Sequence, residues 1–289
     1  MDQAPRRDRY PAGVPCWIDI EPPDPEDAMR FYGGLFGWTF DDARPPGSPG
    51  RYAVARLRDA DIAGISLRTD GAAPTVAWNT YVCVDSAERA ATRVREAGGR
   101  VVAGPDELPG AARTASCADP AGGAFRLWEP RPHSGVQRAN EDATWNMSEI
   151  ATPDLEAAEA FYGSVFGWVV DTIDFGGETG HMIRLPGYGD FLEQFEPGMR
   201  ERQAEAGVPP GYEDAVAWMS VVAGEGAAGP ARWSLTFAVD DADAIAARAA
   251  ELGGTVVVPP FDAGPGVRLA MLADPAGAPF TVNRYGPPA

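Results

Sequence analysis

The strongest constraint on this chain of 289 residues is an internal repeat. "DPEDAMRFYGGLFGW" (24–38) returns as "DLEAAEAFYGSVFGW" (154–168), 130 positions on, with nine of fifteen residues unchanged. A second pair aligns at an offset of 155: "WNTYVCVDSAERAATRVREAGGRVV" (78–102) with "WSLTFAVDDADAIAARAAELGGTVV" (233–257). "DPAGGAFRLW" (119–128) and "DPAGAPFTVN" (274–283) keep that offset. The chain is therefore one fold written twice. The step from 130 to 155 places 25 extra residues in the second copy, between Trp168 and Trp233. The polar stretch 131–143 reads as the linker, giving domains over 12–131 and 143–286, the second with an insertion between 169 and 232.

Each copy reads as strand, helix, strands, and then the same again. Asp24 is a good helix N-cap, Pro25 suits the first helical position, and Glu26 and Asp27 favour a helix start. Asp154 repeats the role, and Ser86 and Asp241 cap the later helices, which end at Gly98-Gly99 and Gly253-Gly254. Phe31, Leu35 and Phe36 fall at helical spacings and should seat the first helix on a sheet. Gly37 ends that helix, and Trp38 begins the return strand. Short strands are expected over 100–103, 112–118 and 124–129. In the insertion, "PGMRERQAEAG" reads as a short charged helix, and "PGYGDF" and "PPGYED" as turns. "GGETGH" (176–181) reads as a hairpin turn.

The β-α-β-β-β order, the D-x-x-x-A-x-x-F-Y-x-x-x-F-G-W helix and the D-P-x-G turn resemble the vicinal oxygen chelate superfamily, which includes glyoxalases, extradiol dioxygenases and bleomycin resistance proteins. The resemblance covers nearly all of the chain. "RLPGYGDFLEQFEPGMRERQAEAGVPPGYEDAVAWM" (184–219) is further similar to a tandem-domain actinobacterial subgroup often called hydroxylases. It implies an α+β fold of tandem glyoxalase-like domains, each of two βαβββ modules forming a cupped mixed sheet with helices on the convex face and ligand in the cup. Metal-dependent members place His, Gln or Glu on strands facing the cup.

Strand alternation tests that implication. Ile18, Ile20, Thr80, Val82, Val84, Phe125 and Leu127 take the helix side. Trp17, Asp19, Asn79, Tyr81, Arg126 and Trp128 then face the cup. The three implied metal positions hold Trp17, Asn79 and Arg126 in the first copy and Met147, Ser234 and Thr281 in the second, with neither His nor Glu among them. No metal or other cofactor is expected. Trp17, Tyr81 and Trp128 would stack a planar ligand, and Arg126 would pair with an anionic oxygen or with Asp19. In the second copy Glu149 replaces Asp19, near Thr236 and Asn283. Glu149 with His181 is the best acid–base candidate, and Asp19 with Arg126 the second. Tyr188, Phe191 and Tyr212 mark the insertion as a lid or a structural cap.

Composition narrows the partners. Residues 1–138 hold 17 arginines against 19 acids, and residues 139–289 hold 7 against 23, with no lysine anywhere. The net charge of −18 repels nucleic acid, and the acidic second half suits a cationic ligand. Cys16, Cys83 and Cys117 are odd in number and form no C-x-x-C, so buried free thiols are expected. No apolar run spans a membrane and no secretory leader opens the sequence, so a cytoplasmic protein is expected, as a monomer through intramolecular module pairing or a homodimer. P-loop, dinucleotide and serine-hydrolase signatures do not occur. Two functional readings follow: a metal-independent enzyme isomerising, cyclising or hydroxylating an aromatic or polyketide-like metabolite, and a binding protein that sequesters one, as bleomycin resistance proteins do.

Overall fold

A computed structural model of the chain describes residues 10–43, 51–67, 76–174, 179–205, 208–222, 229–264 and 266–285. Four β-α-β-β-β modules follow one another. The first comprises β1 (Pro15–Ile20), α1 (Pro25–Phe36), β2 (Thr39–Asp42), β3 (Arg51–Leu57) and β4 (Ala60–Leu67). The second comprises β5 (Trp78–Cys83), α2 (Ala87–Glu96), β6 (Arg100–Leu108), β7 (Ala112–Ala118) and β8 (Ala124–Pro130). The third comprises β9 (Thr144–Thr152), α3 (Leu155–Phe166), β10 (Val169–Asp174), β11 (Thr179–Arg184) and β12 (Ala215–Val221), with α4 (Tyr188–Glu193) and α5 (Met199–Glu205) inserted before β12. The fourth comprises β13 (Arg232–Ala238), α6 (Ala242–Glu251), β14 (Thr255–Gly264), β15 (Val267–Ala273) and β16 (Pro279–Tyr285). The strands make two eight-stranded mixed sheets, in the orders β2-β3-β4-β1-β5-β8-β7-β6 and β10-β11-β12-β9-β13-β16-β15-β14. The fold is α+β and tandem, as the repeat implies.

The helix signals act where the sequence places them. Asp24 accepts from the Glu26 and Asp27 N–H groups, Ser86 from Arg89, Asp154 from Ala157 and Asp241 from Ala244. Gly37 closes α1 in the left-handed region (φ 72°), a conformation that side-chain-bearing residues rarely adopt. Two expectations change, and a third lies partly outside the described residues. β6 runs on to Leu108 rather than stopping near 103. "PGYGDF" enters a helix instead of a turn, because Asp214 accepts the Gly187 and Gly189 N–H groups that open α4. Of the "GGETGH" turn, residues 176–178 lie outside the described residues, and β10 and β11 on either side pair antiparallel.

The chain divides into two compact units that do not follow chain order. One gathers 1–16, 81–135 and 148–233, and the other 17–80, 136–147 and 234–289. Each has its own aromatic core. In the first, Phe125 packs edge-on against Phe161, Tyr162 and Phe166 of α3. In the second, Phe36 of α1 packs on Phe237 and Phe280.

A buried polar triad is repeated in these cores. The Tyr32 hydroxyl donates to Asp274 Oδ2 (3.2 Å) and accepts from Trp78 Nε1 (3.0 Å). Tyr162 does the same with Asp119 Oδ2 (2.8 Å) and Trp233 Nε1 (2.9 Å). These contacts explain three repeated residues at once: the tyrosine of "FYG", the aspartate of "DPAG" and the tryptophan that opens β5 or β13. Burial first, and then the neighbouring carboxylate, pushes both tyrosine hydroxyls well above their usual range. Among the described residues no helix is long and apolar enough to cross a membrane.

Candidate functional site

The residues that alternation turns away from the helices are arranged differently in the two copies. In the first copy they are closed in. Trp17, Asp19, Tyr81 and Trp128 are all 3% exposed or less, and every residue of β1 is buried. Trp17 Nε1 donates to the Tyr52 hydroxyl (2.7 Å), which donates to Asp19 Oδ2 (3.3 Å), while Asn79 Nδ2 donates to Asp19 Oδ1 (2.8 Å). Both oxygens of Asp19 are engaged within the protein. Tyr52 reaches them by crossing Gly64, the residue in register with Asp19. A Cβ at Gly64 would lie 2.2 Å from the Tyr52 hydroxyl oxygen, so only glycine leaves the path open.

In the other unit, Arg126 Nη1 donates to the Tyr81 hydroxyl (2.9 Å), and its guanidinium lies 5.4 Å from that ring's centroid. Trp128 meets Tyr81 edge-on at 5.4 Å and donates from Nε1 to the His133 carbonyl (3.2 Å). Tyr81 and Trp128, expected to be open for stacking, are buried and hydrogen-bonded within this unit.

The second copy is more open. On β13 the burial alternates strictly, with Trp233, Leu235 and Phe237 buried and Ser234, Thr236 and Ala238 half-buried. Thr236 and Thr281 stand in register, and Met271 beside them is exposed. Asn283 is buried. Its Nδ2 donates to Asn146 Oδ1 (2.9 Å), and its own Oδ1 has no hydrogen-bond partner.

In the first unit Met147's neighbour Glu149 is half-buried on β9, in register with Trp218 of β12. No hydrogen bond or ion pair engages Glu149 among the described residues. His181 does not join it. His181 is in register with Met219, and Met219 with Ile150, so the imidazole takes the opposite sheet face from Glu149. Its Nδ1 instead shares a hydrogen bond with Thr172 (3.2 Å). The acid–base pair expected from the sequence is therefore not assembled. The facing is fixed by the β11–β12 register, which the sequence alone does not give. Nor does the sequence single out Tyr52, Gly64 and Trp218, since nothing local marks a site there.

Other sequence expectations resolve directly. The three cysteines are buried and free. Burial, then the adjacent Cys83 thiol, pushes the Cys16 thiol well up, and burial pushes Cys117 up to about 12, so neither is a ready nucleophile. In the insertion, Tyr188 is buried and stacks on Phe191 (6.0 Å between ring centroids), which packs on Phe195. Arg200 pairs with Asp190 (2.7 Å), and the Glu193 carboxylate accepts the Gly198 N–H. The segment is packed on itself, and Tyr212 sits in a half-buried 3-10 turn.

A match to the glyoxalase-like domain model covers residues 17–128 and again 147–283, and the chain belongs to that family. It is 33% identical over 286 residues to "Putative glyoxylase CFP32" of Mycobacterium tuberculosis, spanning 98% of this chain and 99% of that protein. It is 30% identical over 287 residues to "Anthracycline biosynthesis protein DnrV" of Streptomyces peucetius, spanning 95% and 94%. Among solved structures it is similar to a Mn(II)-bound glyoxalase from Novosphingobium aromaticivorans (TM-score 0.58, 13% identity, 94% and 82% covered). It is also similar to 2,2',3-trihydroxybiphenyl 1,2-dioxygenase from Sphingomonas wittichii (TM-score 0.57, 16% identity, 96% and 92% covered). At these identities the likeness to the solved structures concerns the fold.

The fold family implies a divalent metal, and the residues present do not suit one. The implied positions hold indole, amide, guanidinium, thioether and hydroxyl groups. Among the described residues no three His, Cys, Asp or Glu side chains gather as a ligand set.

Proposed function

We propose that this chain is a metal-independent, cytoplasmic binding protein of secondary metabolism that takes a small planar aromatic or polyketide-like ligand through its second copy. The observation that carries this reading is the contrast between the copies. In the first, the carboxylate and aromatics are consumed by internal contacts. In the second, the matched carboxylate, Glu149, is half-buried and has no hydrogen bond or ion pair among the described residues, and Trp218 stands in register with it. Apolar walls with a few polar groups are what a small-molecule site needs. The separation of His181 from Glu149 favours binding over acid–base turnover. The kinship with DnrV, named for anthracycline biosynthesis, supports a polycyclic aromatic ligand class.

The test is incubation of purified protein with an anthracycline aglycone, followed by extraction and mass spectrometry. Recovery of bound, chemically unchanged aglycone is expected. Conversion to an isomer or a hydroxylated product that disappears in Glu149→Gln would establish the enzyme reading instead.

A further inference from the structure

We infer that Glu149 and Trp218 form a recognition pair for an organic ammonium group, so that the ligand is a planar aromatic carrying a positive charge. The inference rests on the binding reading above and adds the charge of the ligand. It starts from a difference between the copies at one matched point of the fold. In the first copy the residue in register with the carboxylate of Asp19 is Gly64, and Tyr52 crosses that glycine to engage Asp19. In the second copy the residue in register with Glu149 is Trp218. Partners in register on neighbouring strands project from the same face, with Cβ atoms about 5 Å apart. Trp218 and Glu149 thus leave the same face of the sheet from adjacent positions.

Three features then point to a cation. Glu149 is half-buried and has no hydrogen bond or ion pair among the described residues, so its carboxylate is open to a ligand while part of its hydration is already lost. An indole face attracts an ammonium through its quadrupole, more strongly than any other side-chain ring. The second half of the chain carries 23 acids against 7 arginines, a field that concentrates cations. A neutral ligand gains a hydrogen bond and a ring contact from this pair but not the charge attraction. A carboxylate on the ligand would be repelled.

The experiment is a fluorescence titration with two probes of equal shape, 9-anthracenylmethylammonium and 9-anthracenemethanol, on the full chain and on Glu149→Gln. The wild type should bind the ammonium at least about tenfold more tightly than the alcohol. That preference should shrink with added salt. Glu149→Gln should bring the two probes to within about twofold, chiefly through loss of affinity for the ammonium. The urea unfolding transition of the variant, measured alongside, reports whether it keeps its fold. Equal binding of the two probes by the wild type, or a preference that survives in Glu149→Gln, overturns the pair and leaves the aromatic-binding reading standing. Binding of neither probe overturns both.

Discussion

Tyr32 and Tyr162 show how much of the fold rests on single buried hydroxyls. Each gives one hydrogen bond to a buried aspartate and takes one from a buried indole. Tyr32→Phe leaves the Trp78 N–H unpaired and removes a donor from Asp274, and should cost about 1–3 kcal/mol in urea unfolding. The same tyrosines set an alkaline limit. Their hydroxyls are raised by burial, so the stability they contribute is complete below the unfolded value near ~10 and is lost as pH climbs toward the folded value. Stability measured from pH 9 to 12 should therefore fall by up to about 1.4 kcal/mol per pH unit for each tyrosine, and the Tyr32→Phe, Tyr162→Phe double variant should fall less steeply, its remaining slope coming from the buried Cys16 and Cys117 thiols. Gly64 is the third sensitive residue. Gly64→Ala places a Cβ where the Tyr52 hydroxyl lies, and should cost about 1–3 kcal/mol as Tyr52 leaves Trp17 and Asp19.

At the level of elements, the local signals were legible wherever one residue's chemistry decides the outcome. Four caps and a left-handed glycine were readable because each acts within a few positions of itself. α4 was not readable, because its N–H groups are satisfied by Asp214, some 25 residues downstream. Asp214→Ala should release α4 alone, at a cost of about 0.5–2 kcal/mol. Hydrogen exchange should then quicken across 188–193 while the amides of β9 and β13 keep their protection. Equal protection in variant and wild type would mean the helix is held by its aromatic stack instead. Strand facing was legible from alternation, and Ile18, Ile20, Phe125 and Leu127 are indeed buried. What alternation did not reveal is that β1 is buried on both faces, since the covering residue Tyr52 comes from another strand.

For the whole molecule, the repeat disclosed the modules but not how they share cores. Tyr32 finds its acceptor at Asp274 and Tyr162 at Asp119, so each compact unit draws on both copies. Residues 1–138 and 139–289, produced separately, should each lack the cooperative unfolding transition of the intact chain, and mixing them should restore it. At the candidate site, the residue types at the positions where the fold family implies a metal are legible in the sequence. The difference between the copies is not, because it depends on Tyr52, Gly64 and Trp218, whose places come only from strand register. The most direct test of the account is calorimetric titration of an anthracycline aglycone into protein stripped with EDTA, repeated with added Mn(II). Equal affinity in the two titrations is the predicted result. Binding that appears only when the metal is restored would contradict it.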